Sequence, residues 1–174
     1  MNNLSKFTKT FLAVGLIFVI YGYLSRLVGL YFFWESKSIG WAIIFIGLIG
    51  LLLDRIKIKK EKEKKSILEK IGIGVIAFIL LIQTILIAVI PFTDAYSVAK
   101  EYIKNNEQLT DEIGTVNGFG LIPTGGIQKT TDSQGTYGSA TINLTIKGKK
   151  KYKDVTVYVV KYADQPEWTV EQID

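Results

Sequence analysis

Few residues in this chain have types and settings suited to chemistry. The most unusual is Arg26, a guanidinium inside the apolar run TFLAVGLIFVIYGYLSRLVGLYFFW of residues 10–34. A charge within a bilayer-length segment is costly, and by default it is a functional candidate. Gln83 interrupts a later run, IGIGVIAFILLIQTILIAVI at 71–90, where an amide can hydrogen-bond across a helix pair. Beyond the apolar runs, Asp111 and Glu112 form a carboxylate pair, IPTGGIQ at 122–128 holds paired glycines, and GKKKYK at 148–153 gathers four lysines. The paired glycines lack the Lys-Ser/Thr and following helix of a phosphate loop, so they read as a turn. The carboxylates fall where a helix end is expected and suit solvation there. The lysines fit phosphates or an acidic partner, but in a strand connection they also discourage edge pairing. NLT at 143–145 matches a glycosylation sequon within an expected strand.

The chain has no cysteine and no histidine. Disulfides, thiol catalysis, Cys/His zinc sites, axial His or Cys haem ligation and His general-base chemistry are all excluded. No catalytic constellation forms from the remaining residues, so the expectation is a protein that is not an enzyme and needs no cofactor or metal.

The elements that carry these residues come in two kinds. Three apolar runs precede residue 91, and about 20 apolar residues in a helix cover a ~30 Å hydrocarbon core. Spans are expected at about 11–33, 38–56 and 71–90, within a transmembrane region of residues 1–91. The middle run, IGWAIIFIGLIGLLL, is short, so Lys37 and Arg55 are expected to snorkel. Lys6 and Lys9 precede the first run as in a signal peptide, but no small-residue cleavage site follows Ile20, so the span reads as uncleaved. Arg26 lies toward its distal end. There it can snorkel to the headgroups with Trp34 and Trp41 as interface anchors, or it can pair with Glu35 or meet a partner subunit.

Orientation follows from charge. The segment 54–65, DRIKIKKEKEKK, carries Arg55, Lys57, Lys59, Lys60, Lys62, Lys64 and Lys65 against three carboxylates, a balance of +4. Short Lys/Arg-rich loops stay cytoplasmic, so the loop 54–70 is expected inside, with the N-terminus beside it. The tail from residue 92 is then extracytoplasmic, in a plasma (inner) membrane protein. Contact between this loop and anionic lipids is compatible with that arrangement. A nucleic-acid arm is not expected, because the run has no aromatic interleaving and no motif.

The tail, residues 92–174, reads as a small α+β domain. DAYSVAKEYIKNN carries Ala95, Val98, Ala99, Tyr102 and Ile103 at helical spacing, with Asp94 as N-cap. EQLTDEIG reads as a short second helix closed by Gly114. Period-two alternation then places Ala140, Ile142, Leu144 and Ile146 on one strand, and Val155, Val157 and Val159 on the next. EWTVEQI gives a last strand with Trp168 and Val170 on one face, and TVNGFGLIP at 115–123 gives an irregular early one. The loop around GGIQKTTDSQGTYG reads as long and mobile, unless part of it pairs as a further strand. The expected architecture is an N-terminal helix packed on an antiparallel meander of about four strands.

The order of these features resembles the cytochrome c oxidase assembly factor 1 family. A span ends before a helix with Ala95, Tyr96 and Ala99; LTDEIG closes on Gly114; SATINLTIKG and DVTVYVVK follow as a strand pair; EWTVEQI ends the pattern. The family usually carries one span, where this chain has three. The resemblance covers roughly residues 92–174. It implies a non-enzymatic module beside the membrane, with a membrane-protein partner such as a respiratory subunit. Arg26, Gln83 and Trp168 are the candidate partner contacts read from this sequence. The alternative is a membrane-anchored sensory or ligand-binding envelope protein.

Overall fold

The computed structural model describes residues 4–133, 135–165 and 167–174. The chain forms two compact units, one ending at Gln83 and the other spanning Thr84–Asp174. Three helices carry the apolar runs: α1 (Lys6–Leu27), α2 (Ser36–Glu61) and α3 (Ile67–Val89). Each is long and apolar enough to cross a membrane.

Helices α1 and α2 form a close antiparallel hairpin. A side chain added at Gly15 would meet Ile44 and the Gly40 carbonyl, and one added at Gly40 would meet the Val19 backbone at 2.7 Å. Gly22 faces Lys37, and Gly47 faces Leu12. Where lipid tails are as apolar as the side chains, helices associate through such backbone approach at small residues.

Two boundaries differ from the sequence expectation. The first helix stops at Leu27 rather than near residue 33, because Gly29 takes φ +66 and turns the chain back. Val28 N–H then donates to the Leu24 carbonyl at 3.0 Å and Leu30 N–H to the Ser25 carbonyl at 2.8 Å, closing the helix end. The segment 54–70 is also mostly not a loop. Alternating Lys and Glu are good helix formers, and α2 continues through them to Glu61. It ends where Glu63 takes φ 56 and Lys64 N–H donates to the Lys59 carbonyl at 2.8 Å. Lys59 and Lys60 occupy the last turn, where the helix dipole favours cations.

The second unit begins with the end of α3. A single 3-10 turn, Ile90–Phe92, contains Pro91 and leads into α4 (Asp94–Asn105). The N-cap of α4 is Thr93, not Asp94: its hydroxyl accepts from Tyr96 N–H at 3.3 Å, and Asp94 sits in the first turn. Helix α5 (Glu107–Ile113) is capped by Asn106 and ends at Gly114, whose φ of +79 suits the expected C-terminal glycine.

Among the described residues the sheet has five antiparallel strands, where about four were expected: β1 (Val116–Phe119), β2 (Thr124–Asp132), β3 (Gly135–Gly148), β4 (Tyr152–Lys161) and β5 (Thr169–Ile173). The long strand β3 pairs with β4 on one side. On its other side it pairs with β1 at its C-terminal end and β2 at its N-terminal end, while β5 flanks β4. The fifth strand, β2, is built from the stretch read as a mobile loop unless part of it paired, and it does pair, with β3. Its paired glycines lie inside the ladder, not in a turn; Gly125 holds φ +143 against the Thr141 backbone. As an outer strand it packs only Ile127 toward the core, so it shows no apolar alternation.

Strands β3 and β4 bury the alternating sets expected of them, from Ala140 to Ile146 and from Val155 to Val159. Ala95, Tyr96, Ala99 and Ile103 of α4 complete this core with Leu109, Ile113, Trp168 and Ile90. Tyr96 takes the buried place expected for Tyr102, which is 40% exposed. Each large aliphatic side chain buried here contributes on the order of 1.5–3 kcal/mol.

Candidate interaction surfaces

Arg26 is the penultimate residue of α1, and the turn made by Gly29 folds the following segment back over it. Its Nη1 donates to the Gly22 carbonyl and to the Trp34 carbonyl, both at 2.9 Å. The guanidinium lies 4.8 Å from the Trp34 ring centroid. Trp34 is buried rather than exposed as an interface anchor, with the Tyr31 ring tilted against it at 5.6 Å between centroids; Trp41 is exposed. Tyr21 closes the same corner by donating to the Phe32 carbonyl at 2.8 Å. Lys37 lies over the Tyr23 ring at 4.8 Å. Phe32 and Trp34 lie in the connection between α1 and α2, whose carbonyls must find partners outside a helix ladder. Gln83 is exposed on α3.

At the opposite end of the hairpin, Asp54 does work that the sequence reading did not assign. Its Oδ2 accepts from the Ser5 N–H and from the Thr8 hydroxyl, both at 2.8 Å. Thr8 and Asp54 are both buried, and Ser5 is the N-cap of α1. One carboxylate thus ties the start of α1 to α2. The neighbouring turn is fixed by Lys59, which pairs with the buried Glu69 at the start of α3 at 2.5 Å. Lys60, Lys64, Lys65 and Lys70 line a hollow of about 430 Å³ beside it.

In the second unit the lysines of GKKKYK meet the end of α5. Glu112 accepts from Lys151 at 2.8 Å and from Lys153 at 2.7 Å. Those hydrogen bonds hold its carboxyl at about 2, well below the ordinary 4.5. The Lys150 backbone N–H donates to the Ile113 carbonyl at 2.9 Å and its Nζ to the Asp111 carbonyl at 3.0 Å. The run of cations that suggested a phosphate contact is largely occupied in closing a helix C-terminus.

Trp168 is 7% exposed and packs in the core, with its ring against Gly138. What remains of its surface lines an open groove of about 800 Å³ between α4 and β5. The groove was not legible in the sequence, because its walls come from segments about 60 residues apart. Among the described residues, no group of three or more carboxylates is gathered closely enough to hold a metal ion. No protein-family model, curated protein or solved structure matches the chain.

Proposed function

We propose that this chain is an integral membrane protein whose second unit works outside the cytoplasm as a non-enzymatic partner-binding module. This is the role implied by its resemblance to the cytochrome c oxidase assembly factor 1 family. The observation that carries the reading is the continuity of the third apolar helix with the folded domain. Leu86 and Ile90, at the end of a bilayer-length helix, pack into the same core as α4 and the sheet. A domain nucleated on the end of a span is held at the membrane surface, where it meets other membrane proteins. The basic residues Arg55 to Lys65 favour an orientation with that domain outside.

Purification of the tagged full chain in mild detergent tests the reading. Co-purification of respiratory-complex subunits is the expected result. A bound small molecule or cell-wall component in place of a protein partner favours a sensory role instead.

A further inference from the structure

The groove beside Trp168 has one wall made by a helix and the other by a sheet edge. Among the described residues β5 pairs with β4 and with no second strand, and its first two residues, Thr169 and Val170, line the groove. Tyr102 and Val98 of α4 and Val170 of β5 supply apolar surface, and the edge of Trp168 lies at its margin. Three carboxylates, Glu101, Glu107 and Glu167, line it, and among the described lining residues there is no lysine or arginine. The three are exposed. Of the α4 cations, Lys100 lies over the Tyr96 ring at 4.7 Å, and Lys104 lines an adjoining hollow that shares Asn105 and Glu107 with the groove.

We infer that this groove takes an extended, basic peptide segment of a partner, added to the sheet as a sixth strand alongside β5. An edge strand beside a helix offers two kinds of recognition. Main-chain hydrogen bonds give affinity, and alternate side chains enter the space against the helix. Side chains on a strand alternate faces, so cationic residues at every second position meet the carboxylates while the others point away. The acidic lining selects against an acidic segment by like-charge contact. The basic stretch of this chain itself is not the occupant, since on the topology proposed above it lies across the bilayer.

The inference deepens the partner-binding reading and rests on it. The test uses the full-length protein in detergent and a fluorescein-labelled eight-residue peptide alternating Lys and Thr. Two control peptides replace every Thr by Pro, which removes strand-pairing donors, or every Lys by Glu. The protein is compared with the double variant Glu101→Lys/Glu167→Lys, both exposed positions, with circular dichroism confirming its fold. Anisotropy is expected to show binding of the basic peptide, weakened about tenfold or more by the two charge reversals, and no binding of either control. Absence of binding to the native protein, equal binding to the double variant, or equal binding of the proline peptide overturns the inference. If the native chain still co-purifies with a membrane-protein partner in that case, the groove assignment alone is wrong. If no partner co-purifies at all, the broader reading fails with it.

Discussion

Arg26 shows how one charged side chain near an apolar segment is held by the backbone folded around it. Its hydrogen bonds go to the carbonyls of Gly22 and Trp34 and its face stacks on the Trp34 ring, so it organises the corner between α1 and α2. Replacing it by Leu leaves those two carbonyls without this donor. Hydrogen bonds from charged donors contribute about 1.5–3 kcal/mol each before compensation by other groups. Arg26→Leu is therefore expected to lower the thermal midpoint of the detergent-solubilised chain and to increase Trp34 exposure to a fluorescence quencher. An unchanged midpoint together with unchanged quenching contradicts the structural role. Glu112 makes a second residue-scale prediction. Its folded pKa, about 2, lies below the ordinary 4.5, so its stabilising contribution is complete above pH 4.5 and is lost as pH falls toward 2. Because the side chain is 39% exposed, solvent screening limits that contribution to under about 1 kcal/mol. Acid titration of Glu112→Gln should show a smaller loss of stability across this window than the native chain. Identical titrations contradict the assignment.

At the scale of elements, legibility depended on whether a segment's neighbours were implied by its own pattern. Strands β3 and β4 are central in the sheet and bury one face, so Ala140–Ile146 and Val155–Val159 announce themselves by alternation. Strand β2 packs only Ile127 toward the core and is otherwise polar, and its ladder with β3 leaves no periodic trace. The early end of α1 was readable in principle from Gly29, but the apolar residues beyond it, Leu30 to Trp34, extended the hydropathy signal past the true stop. Of these five only Trp34 is buried, under a fold-back around Arg26 that periodicity does not encode. The hairpin of α1 and α2 rests on glycines that admit backbone contact. Gly40→Leu is expected to force the helices apart, at a cost of about 1–3 kcal/mol or more. The thermal midpoint of the detergent-solubilised chain reports the result: a lower midpoint for Gly40→Leu than for the native chain. An unchanged midpoint contradicts the close packing.

For the whole molecule, the charge distribution and the hydropathy pattern bear on the same question. The apolar helices and the basic stretch come before Ile90, while the tail from residue 92 has nine Lys against eleven Asp/Glu, a balance of −2. The candidate surfaces divide the same way. The groove with Glu101, Glu107 and Glu167 lies in the second unit, and the lysine-lined hollow lies at the α2–α3 turn. The role proposed for the second unit, partner binding outside the cytoplasm, puts it across the membrane from the lysine-rich turn. The chain has no native cysteine, so single introduced cysteines report without background. Lys62→Cys and Ser133→Cys are both at exposed positions. In intact cells treated with a membrane-impermeant maleimide, the account predicts labelling at position 133 and protection at position 62 until the membrane is permeabilised. Labelling at position 62 with protection at position 133 contradicts it.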